Sequence, residues 1–527
     1  MVIPLYTLDG KHLTVKHIVD FVANPKARIK IHPSCFGAID RSRAFLHAQM
    51  KEKVIYGVNT GFGPMASHII GTQDLKALQQ NLIRSHSTGM GDSIDPDFIL
   101  ASMVVRINTL IKGHSGVSRD LADHLLLFIN RRIIPVVHEH GAVGTSGDLI
   151  QMAHIALALI GEGEVWYREV RQPTVPLLKK LKIKPYTLES KEGLSLINGT
   201  SVMAGIGALN VYHAERILSL AVRLGAMGLE LVHAFRDAFS EELHAARPHP
   251  GQMQVAALLR KILSSSRLLQ ERADLQKRIT LHERDVKKIP DDVQDVYSFR
   301  CLPQILGPAL EVIARTKQTV ETEINSVTDN PMIDMKQKQI LHGGNFHGDY
   351  IASAMDEMKI GLVKLTLLSE RKINFFLNQN VNKRFPPFLN LKKPGLTLGL
   401  QGLQFVATST TAQSQTLAFP QYVHSIPTNG DNQDIVSMGM ESALFTAKVI
   451  DNAYTVLAIE LIALAQAADF RNIYEKLSDS SKHLYEGVRS VFPKIIQDRV
   501  LVHELPQVVK FLKSDQSPDL SLGIDEK

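Results

Sequence analysis

Cysteine is scarce: Cys35 and Cys301 are the only two in 527 residues, too few for a disulfide framework or a four-cysteine zinc site and compatible with a reducing compartment. Charge of one sign is nearly absent as well, since 59 basic against 53 acidic residues leave a net +6, small for a chain this long. The main basic concentration, "LLKKLKIKP" at 177–185, alternates with apolar residues and reads as a solvated amphipathic face. It has no interleaved aromatics to stack RNA bases, so no nucleic-acid partner is expected. No run of 18 apolar residues occurs; the best candidate, "AYTVLAIELIALAQAAD", is interrupted by Glu460. The N-terminus "MVIPLYTLDGKHLTV" lacks the basic-then-apolar order of a signal peptide. These absences leave a soluble, cytoplasmic protein without a membrane partner as the expectation.

What is present is a large apolar reserve, 44% of residues, enough for a big core and, by length, for two or more domains. Segments 203–235, 302–327, 350–379 and 440–469 repeat apolar residues every three or four positions and predict long helices. Helices beyond the usual globular length predict a bundle, and such bundles extend their cores through partner subunits, so a homo-oligomer is expected. The first two hundred residues differ: shorter periodic segments are separated by Gly-rich loops such as "YGVNTGFGPM" (56–65) and "STGMGD" (87–92). The expected organisation is mainly α, with a loop-rich part at 1–200, a long-helix part at 201–512 and a polar, disordered tail at 513–527.

The stretch "HEHGAVGTSGDL" (138–149) admits two readings. It can be a tight turn with a Ser or Asp helix cap. It can also be chemistry. If the Gly147 nitrogen attacks the Thr145 carbonyl carbon, five atoms close into an imidazolone, and loss of the Ser146 hydroxyl leaves an exposed methylidene carbon. Serine is required for its leaving hydroxyl, and glycine because its nitrogen must approach a carbonyl at angles that a Cβ obstructs. Position 145 supplies only a carbonyl and an α carbon.

The remaining motifs are individually weak. "GVNTGFG" lacks the G-x-G-x-x-G spacing and βαβ setting of a nucleotide loop, so no nucleotide is expected. Tyr56 beside it is either a half-buried core tyrosine or a base. His138 and His140 flank Glu139 without the i, i+4 spacing of two metal ligands, and no metal is expected. His86 in "NLIRSHSTG" can be structural or part of a site. Gln294, Tyr297 and Arg300 fall at three-residue steps, which in a helix puts them on one face; a guanidinium there suits a carboxylate, or an ordinary ion pair. "GGNFHGDY" (343–350) and "PTNGDNQD" (427–434) are polar clusters between helices, typical of loops entering a site.

Taken together, "YGVNTGFGPM", "GTSGDL", "LINGTSVM", the Gln-Asp-x-Tyr-Ser-x-Arg stretch, "GGNFHGD" and "NGDNQDIVSMG" closely resemble the aromatic amino acid ammonia-lyase family: histidine, tyrosine and phenylalanine ammonia-lyases and the 2,3-aminomutases. The match spans about residues 50–470. It implies the ammonia-lyase/fumarase-like architecture, a long central helix bundle, and a homotetramer whose sites are completed by loops from several subunits. It also implies that Thr145, Ser146 and Gly147 cyclise to the methylidene-imidazolone prosthetic group, MIO, although the family's usual first residue is alanine. On the same resemblance Tyr56 removes the β proton, Arg300 holds the substrate carboxylate, and Asn198 and Gln294 support the carboxylate, the amine or the MIO oxygen. Tyr297, Phe346 and Gln433 line the pocket. An ordinary tyrosine ionises near ~10, so a base at this position needs a site that favours the phenolate.

Ser85 and His86 resemble the pair in histidine enzymes and in bacterial tyrosine enzymes, whereas phenylalanine enzymes carry an apolar pair. Gln413 stands where histidine enzymes have a glutamate that meets the imidazole. An amide cannot neutralise an imidazolium, which removes a contact worth roughly 1.5–3 kcal/mol and favours L-tyrosine, converted to p-coumarate, as the small aromatic substrate. Histidine ammonia-lyase (L-histidine to urocanate), a tyrosine 2,3-aminomutase and a non-catalytic homologue are the alternatives.

Overall fold

The computed structural model describes residues 3–279, 286, 288–289, 293–514 and 522. The protein is mainly helical. The four predicted long helices are present, at Ser201–Leu231, Leu302–Glu323, Asp349–Leu377 and Gly439–Arg471. Their ends differ from the sequence reading by a few residues, because apolar periodicity continues into caps and turns that carry no helical hydrogen bond. The strands are short: Leu5–Leu8 pairs in parallel with Arg28–Ile31, and Met90–Ser93 pairs antiparallel with His138–His140.

Two compact units share the chain. The first comprises residues 1–212, 315–357 and 420–447, the second 213–314, 358–419 and 448–527. Four of the five points at which the chain passes between units fall inside the four long helices, and the fifth, at 419/420, follows the helix Gln401–Leu417. Of the tail at 513–527, only Lys513, Ser514 and Leu522 lie within the described residues.

In the first unit the helix Pro96–Leu110 is buried continuously from Ile99 to Leu110, and Arg106 is its one charged residue in that run. The helix Leu75–His86 buries Leu75, Gln79, Leu82 and Ile83, a spacing that sets one face inward and delivers His86 at the C-terminal end. Buried Gln79 ties this helix to two neighbours. Its Nε2 donates to the Gly57 carbonyl at 3.0 Å, and its Oε1 accepts from the Leu194 N–H at 3.0 Å. The Tyr56 loop and the Glu192–Ile197 helix that precedes Asn198 are thereby fixed to the element carrying His86.

In the second unit, Glu460 explains the interruption of the longest apolar run. Its carboxylate meets Lys372 Nζ at 2.6 Å, with both side chains about 1% exposed. The helix Gly439–Arg471 is long and apolar enough to cross a membrane by composition, but 83% of its apolar window is buried inside the protein, which makes it a core helix.

Candidate active site

Thr145, Ser146 and Gly147 sit in the bend ahead of the helix Leu149–Leu159. Within 144–148 only Ser146 is partly open; its four neighbours are buried. Gly147 has φ +72°, and a Cβ there would fall 2.0 Å from the Gly199 carbonyl oxygen. Gly199, at φ +138°, faces it, and a Cβ on that residue would fall 2.1 Å from the Thr328 carbonyl. Two glycines are therefore demanded by close approach as well as by backbone angle. Across this contact the Asp148 N–H donates to the Gly199 carbonyl at 2.8 Å and the Gly199 N–H donates to the Ser146 carbonyl at 3.2 Å.

Three donors converge on Ser146. Besides the Gly199 N–H, Asn198 Nδ2 makes a long 3.5 Å contact with the Ser146 carbonyl oxygen, and Gln433 Nε2 donates to Ser146 Oγ at 3.2 Å. Asn198 Oδ1 is buried without a protein partner among the described residues. Thr145, buried, donates from Oγ1 to the Ile435 carbonyl at 3.3 Å, so its β-branched side chain is housed away from the ring-forming atoms. The surroundings fit an imidazolone made from these three residues: the glycine cradle holds no Cβ, and the oxygen that would remain on the ring already faces donors.

Asp148 departs from the simple cap reading. Although it precedes the helix Leu149–Leu159, its side chain does not cap that helix; Oδ2 accepts from the Val202 and Met203 N–H groups at 2.8 and 2.9 Å, in the first turn of Ser201–Leu231. Burial pushes its carboxyl up to about 7, against the pull of those two N–H bonds. The sequence reading also passed over Arg106. A lone arginine within "ILASMVVRINTL" was the available sign, because a charge in an apolar helix is buried only for a reason.

A cavity of about 260 Å³ opens over Ser146 and Gly147, walled by His86, Ile150, Thr428, Asn429 and Gln433 among others. His86 Nδ1 lies 3.0 Å from the Leu82 carbonyl, which can only accept, so the proton is on Nδ1 and Nε2 is the acceptor left over. Burial lowers its pKa and keeps it neutral. Ser85 Oγ bonds the same carbonyl at 3.1 Å and lies beside His86 Nδ1 at 3.0 Å, so it steadies the histidine.

Tyr56 reaches this neighbourhood through Gly63. The Gly63 N–H donates to the Tyr56 hydroxyl at 3.0 Å, an N–H aimed at the oxygen a base must charge, and Asn429 Nδ2 lies 2.7 Å from where a Gly63 Cβ would be. The Tyr56 N–H donates to His342 Nε2 at 3.3 Å, which joins this loop to "GGNFHGD". Half-buried Phe346 precedes Gly348, whose N–H donates to the Gly144 carbonyl at 2.9 Å. Tyr56, His86, Asn198, Phe346 and Gln433 thus belong to the same unit as the triplet.

Gln294, Tyr297, Arg300 and Gln413 belong to the second unit. The expected shared helical face is only partly formed, since the helix spans Tyr297–Arg300 and Gln294 lies in a bend before it. Val296, just before the helix, is extended at ψ 156° and ends the periodicity. Arg300 stacks on Tyr297, 4.4 Å from guanidinium to ring centroid, and its Nε donates to the Asp295 carbonyl at 2.9 Å. Between them Phe299 is buried against Phe375 and Phe376, at 5.1 and 5.9 Å between ring centroids. Tyr297 is 68% exposed. Gln413, exposed on the helix Gln401–Leu417, accepts at Oε1 from Asn452 Nδ2 at 3.0 Å.

Residues 13–490 match the family model described as aromatic amino acid lyase. Histidine ammonia-lyase of Bacillus subtilis (strain 168) is 38% identical over 512 residues, covering 97% of each chain. The crystal structure of tyrosine aminomutase from Streptomyces globisporus superimposes with a TM-score of 0.93 at 36% identity, over 98% of this chain and 100% of that one. That of histidine ammonia-lyase from Trypanosoma cruzi gives 0.87 at 33% identity, over 97% and 94%. The chain belongs to the aromatic amino acid lyase family. It is a carbon–nitrogen lyase of the ammonia-lyase type with the family's helical fold.

Proposed function

We propose that this protein eliminates ammonia from L-histidine to give urocanate, using an MIO group formed from Thr145, Ser146 and Gly147. The observation that carries the chemistry is the setting of Ser146, whose hydroxyl and carbonyl meet three donors while Gly147 lies against Gly199 without room for a Cβ. MIO would supply an electrophilic methylidene carbon that makes the substrate amine a better leaving group.

The chain's own residues do the rest. The Gly199 N–H and Asn198 Nδ2 hold charge on the Ser146 oxygen, the geometry of an oxyanion hole. Tyr56, with Gly63 at its hydroxyl, takes the β proton. His86 Nε2 accepts from the substrate's side-chain N–H or O–H, which discriminates against phenylalanine by leaving a buried acceptor unpaired. Arg300 binds the carboxylate with Gln294, and Tyr297 and Phe346 close the pocket.

Exposure of Tyr297, beside half-buried Arg300, supports a homotetramer in which that segment completes a site on another copy; the location we assign is the cytoplasm. Histidine is favoured over the tyrosine expectation by the curated relatives, which are histidine ammonia-lyases. Tyrosine remains the second reading because of Gln413 and the likeness to tyrosine aminomutase, an enzyme whose outcome would be a β-amino acid. The deciding experiment is kcat/KM for L-histidine over L-tyrosine, followed by urocanate and coumarate absorbance together with ammonia release. A ratio above one is expected; a ratio well below one assigns the tyrosine reading, and a β-amino acid product without free ammonia assigns the mutase.

A further inference from the structure

Arg106 has no part in the chemistry just described, yet among the described residues it is one of the largest fully buried side chains. Its Nη2 donates to the carbonyl of Ser195 and, at 2.8 Å, to that of Asn198. Nε and Nη1 are buried without a protein partner among the described residues, and Nη1 lies 2.7 Å from where a Gly199 Cβ would be. Burial lowers its pKa to about 10, with Asp329 and Asp148 acting in the other direction, so it stays cationic at neutral pH. A buried cation with two idle donors is an expensive way to fasten a helix end, which a neutral side chain could do.

The carbonyl it holds belongs to the same peptide unit as the Gly199 N–H. That N–H is the one that donates to the Ser146 carbonyl at 3.2 Å. A cation at the oxygen end of a peptide polarises it and strengthens the donor at the nitrogen end. The Ser146 carbonyl in turn shares its peptide unit with the Gly147 nitrogen. Drawing electrons toward that oxygen acidifies the Gly147 N–H, and the deprotonated nitrogen is the nucleophile that ring closure needs.

We propose that Arg106 is a positioning residue for self-cyclisation: through the Asn198–Gly199 peptide it places positive charge at one remove from the Ser146 oxygen and makes Gly147 a better nucleophile. The step balances without a co-reactant. The Gly147 nitrogen bonds to the Thr145 carbonyl carbon and its proton passes to the Thr145 oxygen. That oxygen leaves with the Ser146 amide proton as one water, and the Ser146 hydroxyl leaves with the α hydrogen as a second. The proposal rests on the MIO reading of Thr145, Ser146 and Gly147.

The test follows the intact mass of the full-length chain during cell-free synthesis. Arg106→citrulline keeps the shape and an Nη donor but removes the charge, Arg106→Lys keeps the charge, and glycolic acid in place of Gly199 removes the relaying N–H while leaving Arg106 untouched. Circular dichroism and thermal melting select the variants that fold. The expected result is loss of both waters slowed at least about tenfold in the citrulline and glycolate variants, with closure restored toward wild type by Lys. A folded citrulline or glycolate variant that closes at the wild-type rate overturns the proposal. So does equal slowing by Lys and citrulline, which would make the role one of shape. If citrulline does not fold, the glycolate variant decides alone by the same criterion. Wild type that keeps its full mass overturns the MIO reading and this proposal with it, and that failure is visible before any variant is made.

Discussion

The Thr145–Gly147 segment and the Tyr297–Arg300 segment are built on opposite terms. The first is enclosed: Thr145 and Gly147 are buried, the Ser146 carbonyl meets the Gly199 N–H and Asn198 Nδ2, and the Ser146 hydroxyl meets Gln433 Nε2, all from the same unit. The second is anchored by one residue, Phe299, and turns Tyr297 and the Arg300 stack outward. A group that must cyclise needs every atom held. A group that must meet substrate on another copy needs only a fixed root and an exposed tip. On the proposed function, burial would separate the residues that make the electrophile from those that present the substrate.

Tests of that contrast differ in size. Tyr56→Phe should lower kcat on the order of 10²- to 10⁴-fold with little change in KM, the scale of a lost general base. An unchanged kcat would remove Tyr56 from the enclosed half. Next, co-expression of Tyr56→Phe with Arg300→Ala should restore activity that neither variant shows alone, because some mixed assemblies would combine an intact enclosed half with an intact exposed half. No recovery in assemblies shown to be mixed would mean that each chain holds a whole site.

Gln413→Glu should raise kcat/KM for L-histidine on the order of 10- to 100-fold, by restoring a charge-assisted contact, and leave L-tyrosine unimproved. An equal effect on both substrates would separate Gln413 from recognition. The smallest effect concerns the loop after His86. His154 Nε2 accepts from the Gly89 N–H at 3.0 Å, and burial, with a lesser push from His138, lowers its pKa from 6.5 to about 4. A histidine depressed on folding contributes full stability above about 6.5 and loses it as pH falls through about 4. The melting temperature should therefore drop across that window, less steeply in His154→Gln; parallel curves for the two proteins would contradict the assignment.

The sequence could point to much of the enclosed half, because the requirements of the proposed cyclisation are local. A glycine at 147 and a serine at 146 are what the proposed cyclisation requires, and the polar loops holding Phe346 and Gln433 announced themselves between helices. Asp148 was visible as a cap but not the helix it caps, since Val202 and Met203 are some fifty residues away in sequence. Arg106 showed in the sequence only as a lone charge in an apolar helix, and its partners did not, since it bonds backbone carbonyls that no side-chain motif reports. The helical face of Gln294, Tyr297 and Arg300 was over-read from spacing, which cannot say where a four-residue helix starts. The long helices were the plainest feature, because periodicity describes a face; it does not describe that face's partner.

The most direct test of the central claim is the intact mass of the purified wild-type chain beside Ser146→Ala. Wild type should be two waters lighter than its sequence, while the variant, lacking the leaving hydroxyl, should not yield that doubly dehydrated product. Wild type at its full sequence mass while still releasing ammonia from an aromatic amino acid would contradict the account.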